Sequence, residues 1–176
     1  MPASDQHPNA ALIKRFYDAL GRHDAAAMLA CYAPDVRFSD PVFPRLDAGG
    51  VATMWRMLCA RGKDLRVVAS SIDADDAKGR AHWVATYTYS ATGRGVVNEI
   101  DATFAFDEGR IVRHDDRFDL HRWAMQALGV SGLLLGWASP MQNAIRRKAA
   151  QALAAWRAKE LAGQSQSRSP PESRSA

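Results

Sequence analysis

Apolar residues recur at helical spacing through the first third of the chain and at alternate positions through the next. Leu12, Ile13, Phe16, Ala19 and Leu20 follow the i, i+3/i+4, i+7 pattern of a buried helix face, and Gly21 ends that helix. Asp24 is placed to cap a second, alanine-rich helix carrying Met28, Leu29 and Tyr32, which Pro34 terminates. Val36 and Phe38 predict a short strand that breaks at Asp40-Pro41. A loop with Pro44 and the Gly49-Gly50 pair then leads into a third helix bearing Val51, Met54, Trp55, Leu58 and Cys59, closed by Gly62.

Beyond Gly62 the period falls from about 3.6 to 2. Leu65 to Ile72 reads as a strand. AHWVATYTYS is a second, with Trp83, Ala85, Tyr87 and Tyr89 on one face, and ATGRG is a hairpin turn. VVNEIDATFAF is a third, with Ile100, Ala102, Phe104 and Phe106 facing together, and RIVRHDDRFDL is a fourth. Three helices followed by an antiparallel meander predict an α+β fold, a cone-shaped curved antiparallel sheet wrapped around the N-terminal helices. The expected boundaries are a flexible N-terminus at 1–7, the cone domain at 8–120, a C-terminal helical extension at 121–162 and a disordered Pro/Ser-rich tail at 163–176. Within the extension, the densest apolar run spans 129–138, well short of the roughly 20 residues a membrane span needs. MQNAIRRKAAQALAAWRAKEL predicts a helix that buries Ile145, Ala149, Ala152 and Trp156.

Composition narrows the class. At 176 residues, 47% hydrophobic and 24% charged, the chain is neither disordered throughout nor a fibrous repeat. Two cysteines, Cys31 and Cys59, lie in apolar segments without CxxC spacing. A disulfide framework or structural zinc is not expected, and a reducing, cytoplasmic location is. The N-terminus shows no basic segment followed by an apolar stretch, so no secretory signal is expected. From residue 143 onward seven basic residues face two acidic ones, so the net charge of +4 belongs to the C-terminal appendage and the body is near neutral. That distribution argues against a nucleic-acid partner. Contact of the basic C-terminal helix with an anionic membrane surface is a lesser expectation.

Candidate chemistry sits where polar residues interrupt apolar faces. Val112, His114, Asp116, Phe118 and Leu120 share one face of the last strand, while Arg113, Asp115, Arg117 and Asp119 share the other. A carboxylate and an imidazole inside must be paired or hydrogen-bonded. Such a pair either holds an acid/base group at a useful pKa or simply orients the strands. Asp40, between Phe38 and Pro41, is a turn residue or a third acid/base group. Asp101 lies with Glu99 and Thr103 on the polar face of its strand and turns inward only through a bulge. Trp55, Trp83, Tyr87, Phe104 and Phe118 occupy core positions that, at the open end of a cone, line a pocket for an apolar, ring-containing ligand. No phosphate loop, GxSxG or HExxH occurs, and neither a metal nor a cofactor is expected.

The segments IKRFYDAL, HDAAAMLACYAPDVRFSDPV, the third helix and the meander ending FAFDEGRIVRHDDRFD together resemble the nuclear transport factor 2-like superfamily over residues 8–120. Its members include ketosteroid isomerases, SnoaL-type polyketide cyclases and epoxide hydrolases. HDDRFDLHRWAMQALG resembles a bacterial subgroup of it. The resemblance implies that Asp40, in FSDPV, is a general base. It also implies two oxyanion donors: a tyrosine of the first helix, a position where Phe16 stands with Tyr17 beside it, and a late-strand aspartate, met by Asp101 if a residue is inserted before FAF. Cyclase-like members offer His114 and Asp116 instead. The expectation is an isomerase- or cyclase-type enzyme without a cofactor, in which Asp40 takes a proton from a small apolar carbonyl or cyclic substrate. His114, oriented by Asp116, donates to the enolate oxygen, and Phe16 joins the five aromatics in the pocket. The alternative is a non-catalytic ligand-binding or dimerisation scaffold. A homodimer is expected under either.

Overall fold

The computed structural model describes residues 7–129 and 139–167. Helices α1 (Pro8–Gly21) and α2 (Ala25–Leu29) precede strand β1 (Tyr32–Ser39) and helix α3 (Ala48–Arg61). Strands β2 (Arg66–Ala74), β3 (Lys78–Tyr89), β4 (Arg94–Asp107) and β5 (Arg110–Arg117) follow, then helices α4 (Leu120–Leu128) and α5 (Ser139–Ser167). The five strands form one sheet in the order β1-β5-β4-β3-β2. The alternation of Trp83 and Ala85 with Ile100, Ala102 and Phe104 sets one apolar face against α1 to α3 and buries it there.

The meander from β2 to β5 is antiparallel, but β1 runs parallel to β5 along the sheet edge. That edge explains a departure from expectation. Tyr32 and Pro34 belong to β1, not to the second helix, which ends at Leu29. The pairing with β5 is irregular between Tyr32 and Arg37, so an edge strand tolerates a proline that has no N–H to give. On α3 the buried face takes in Met57 and leaves Leu58 37% exposed. Strand β5 stops at Arg117. Leu120 starts a helix because the Asp119 carboxylate accepts from Arg122 N at 3.0 Å and caps it.

Helix α4 lies against the concave side near the start of β4, where Leu120, Trp123, Ala124 and Ala127 form a second apolar cluster with Val96 and Ile145. Val42, Tyr87 and Phe118 border both clusters. Helix α5 runs beyond the boundary placed at 162 and packs along α3. There Arg56 Nε pairs with Glu160 Oε1 at 2.8 Å and Arg61 stacks over Trp156. Ile145 is buried, and Ala149, Ala152 and Trp156 pack against the core. Among the described residues no helix is long and apolar enough to cross a membrane. Most of the apolar run 129–138 and the stretch 168–176 lie outside the described residues.

Candidate functional site

Parallel pairing of β1 with β5 sets Phe38 beside His114. Two residues further on, Asp40 therefore reaches the level of Asp116 on the same face. The main chain turns there. Asp40 N donates to Phe43 O at 3.0 Å, and Asp40 Oδ1 accepts from Val42 N at 2.7 Å and from Phe43 N. Asp40 is thus the turn residue its position before Pro41 predicts. Its other oxygen, Oδ2, has no donor among the described residues. Burial pushes the carboxyl up to about 6. The Phe43 N–H opposes that shift, the Asp116 charge adds to it, and the Val42 N–H and His114 oppose it.

His114 is 0% exposed. Trp55 Nε1 donates to Tyr32 Oη (3.1 Å), Tyr32 Oη meets His114 Nδ1 (2.7 Å), His114 Nε2 meets Asp116 Oδ1 (3.0 Å), and Trp83 Nε1 donates to the same carboxylate oxygen (3.4 Å). His114 Nδ1 faces the Tyr32 hydroxyl and Nε2 faces the Asp116 carboxylate, so both ring nitrogens are engaged. No ring N–H of His114 is left for the substrate oxygen it was expected to serve. Its ring is also walled in by Phe104 (4.4 Å), Phe38 (5.1 Å) and Phe16 (5.5 Å between centroids).

Tyr17 presents the opposite situation. It is 3% exposed, and its buried hydroxyl has no hydrogen-bond partner among the described residues, which is uncommon enough in a folded interior to require a reason. Burial first, then the charge of Asp116 and Tyr32, holds the phenol well above its ordinary pKa, so it stays protonated and able to donate. Asp116, 5% exposed, is the charge that raises both Tyr17 and Asp40. On α1 it is thus Tyr17 that carries a free donor, while Phe16 packs on His114. Tyr17 also lines a cleft of about 430 Å³ between α1 and β2, with Lys14 and Ser70 nearby.

The other expected residues separate. Asp101 is exposed on the outer face, with Oδ1 2.8 Å from His82 Nδ1. The β3–β4 register is unbroken across it, so no bulge turns it inward, and it does not join the site. Trp55, Trp83 and Phe104 are packed core. Tyr87 and Phe118 are half-buried beneath α4, and the Tyr87 hydroxyl accepts from Trp123 Nε1 at 2.7 Å. The end of the cone expected to stand open is covered by α4. Two polar residues went unnoticed in the sequence. Tyr32 was hidden by the helix assigned to it, although period-2 spacing carried back from Phe38 through Val36 reaches it. Asn98, half-buried on the concave face between Val96 and Ile100, has no side-chain hydrogen bond among the described residues and was legible from alternation alone. Among the described residues no group of three or more His, Cys, Asp or Glu is placed to hold a metal ion, and Cys31 and Cys59 are free and buried.

A profile of the SnoaL-like domain matches residues 13–114. No curated protein matches the chain in sequence. Several solved structures share the fold. A candidate polyketide cyclase from Xanthomonas campestris pv. campestris is 24% identical over 70% of this chain and 99% of its own, with a TM-score of 0.59. A nuclear transport factor 2-like protein of unknown function from Burkholderia pseudomallei is 19% identical over 69% and 98%, with a TM-score of 0.62. An LEH-like epoxide hydrolase of M. tuberculosis is 20% identical over 74% and 98%, with a TM-score of 0.57. The fold is the nuclear transport factor 2-like cone.

Proposed function

The chain belongs to the SnoaL-like domain family, and on that premise we propose that it is an isomerase- or cyclase-type enzyme moving a proton on a small, apolar carbonyl compound, with its own side chains as base and donor. The observation that carries the reading is the half-engaged carboxyl of Asp40. One oxygen is fixed by two backbone N–H groups, the other is free of described donors, and its pKa of about 6 suits a base at neutral pH.

In this reading Asp40 Oδ2 removes a proton from the carbon beside the substrate carbonyl. The electron pair of the broken C–H bond moves onto the carbonyl oxygen, and Tyr17 Oη donates a hydrogen bond to that enolate. Asp40 returns the proton to the far carbon of the conjugated system in an isomerisation. In a ring closure, the enolate carbon attacks a second carbonyl and Asp40 protonates the new alkoxide. His114 and Tyr32 are positioning residues that hold the Asp116 carboxylate, whose charge helps keep Asp40 basic. The candidate polyketide cyclase among the structural neighbours supports carbonyl chemistry of this class. The two free, buried cysteines suit a reducing compartment such as the cytoplasm.

The test uses 3-cyclohexenone, followed to the conjugated enone by absorbance, and aryl methyl ketones, followed by proton–deuterium exchange in NMR spectra. Wild type accelerates at least one of these. Asp40→Asn loses about 10²- to 10⁴-fold of that rate, and Tyr17→Phe about 10²- to 10³-fold. Unchanged turnover in Asp40→Asn overturns the reading, as does wild type inert toward every ketone.

A second reading, compatible with the first, has the outer face of the sheet joining two copies of the chain. It is favoured by Val68 and Val97, which are 65% and 43% exposed on that face.

A further inference from the structure

The turn that fixes Asp40 has a second side. Val42, Phe43 and Leu46, with Leu153 of α5, floor a cleft of about 490 Å³ that His114 does not line. Four arginines line it, namely Arg45, Arg146, Arg147 and Arg157, and no acidic side chain does. Arg146 is partly committed, since its Nε donates to Pro41 O at 2.9 Å and Nη1 to Asn143 Oδ1 at 3.2 Å. Arg45, Arg147 and Arg157 form no ion pair among the described residues. The nearby carboxylates of Asp47 and Glu160 form their hydrogen bonds elsewhere, and neither residue lines the cleft. Asp47 Oδ1 accepts from Gly50 N at 2.8 Å as the cap of α3, and Glu160 further along α5 is held by Arg56 and Trp156.

We propose that this cleft binds an amphipathic organic carboxylate, with the apolar body on Phe43, Leu46 and Leu153 and the head group on the guanidinium groups that line it. An apolar floor lined by guanidinium groups in excess of nearby carboxylates is complementary to that class of ligand and to neither of its halves alone. Alcohols of the same length lack the charge, and inorganic anions lack the body. Guanidinium forks bind carboxylate bidentately, which makes arginine better suited than lysine to such a head group. The volume lies in the range of small-molecule sites. The inference does not depend on chemistry at Asp40, although both sites share the turn from Asp40 to Phe43.

Isothermal titration with decanoate, kept below its micellar concentration, tests it. Wild type is expected to bind one decanoate saturably. Arg147→Gln/Arg157→Gln weakens it by at least about tenfold, the size expected when charge-assisted hydrogen bonds are lost. Raising sodium chloride to half-molar also weakens it. Both arginines are exposed, so the variant keeps its fold, which circular dichroism verifies. Decanol binding as tightly as decanoate overturns the proposal, and so does a double variant with unchanged affinity. Inorganic phosphate binding as tightly as decanoate reduces the cleft to a simple anion site and overturns it as well. Binding to phosphatidylglycerol vesicles without saturable decanoate binding assigns the arginines to a membrane surface and does the same. None of these readouts uses turnover, so their failure leaves the reading at Asp40 untouched.

Discussion

At the scale of single residues, a completed cluster of hydrogen bonds stands beside polar atoms that lack a partner. His114, Tyr32, Trp55, Trp83 and one oxygen of Asp116 satisfy one another. Asp40 Oδ2 and Tyr17 Oη have no partner among the described residues. The Asp40 carboxyl, raised to about 6 chiefly by burial, binds its proton more tightly folded than unfolded. Its contribution to stability is therefore full below about pH 4 and is lost as pH rises through about 6. Asp40→Asn, a neutral isostere that still accepts from Val42 and Phe43, is expected to be more stable than wild type at pH 7, by on the order of 1–3 kcal/mol. The gain should vanish near pH 4. Urea unfolding of both proteins at the two pH values measures it. In the same pH window, wild-type kcat/KM is expected to rise about tenfold per unit up to pH 6 and then level off. Alternation on an apolar face made Asp40, His114 and Asp116 legible as candidates. Their roles were not legible, because Tyr32, which engages the imidazole Nδ1, and Trp55, which donates to the Tyr32 hydroxyl, arrive from β1 and α3.

At the scale of elements, the sequence errs where an edge or a cap decides. Pro34 reads as a helix stop, yet lies within an edge strand whose irregular pairing does not need its N–H. Strand β4 extends beyond the end of β5, and its unpaired backbone is met by a side chain from α4. Gln126 Oε1 accepts from Val97 N at 2.8 Å, and Gln126 Nε2 donates to Val97 O at 3.0 Å. That pairing, with the Trp123–Tyr87 bond, is what seats α4 over the end expected to be open. The periodicity of α1 does show a buried stripe, but Phe16 and Tyr17 are adjacent and both buried, one against His114 and the other against Trp83. No pattern of apolar spacing says which of the two carries the donor. The opposite end of the cone is sealed by close approach. A Cβ on Gly79 of β3 would lie 2.8 Å from Ile13 Cδ1 and 2.9 Å from Phe106 Cε2. Gly79→Ala is expected to push α1 off the sheet and to cost about 1–3 kcal/mol in denaturant unfolding. Tyr17 is on the displaced helix, so enone formation should fall with it.

At the scale of the whole molecule, the two faces of the sheet have different tasks. The concave face is closed by four helices and holds the polar cluster, while the convex face is left to solvent in the monomer. Val68 on the edge strand β2 is paired with Val84 on β3, and Val97 lies beyond it on β4. Polar pairs flank the valines, with His82 against Asp101 and Arg122 against Glu99. An apolar strip with a polar rim is the pattern of a contact surface. A stable two-fold interface needs roughly 1,200–2,000 Å² in total, which calls for most of the convex face and not only these valines. On this argument the chain sediments as a dimer at micromolar concentration. Val68→Asp/Val97→Asp sets four carboxylates into the interface and is expected to sediment as a monomer with an unchanged circular dichroism spectrum. A dimer that survives both substitutions places the contact elsewhere, and a wild-type monomer leaves the convex face as plain solvent surface. In the proposed mechanism Asp40 and Tyr17 come from the same chain. Enone formation per chain in the monomeric variant should therefore equal that of wild type, which separates assembly from chemistry in a single preparation.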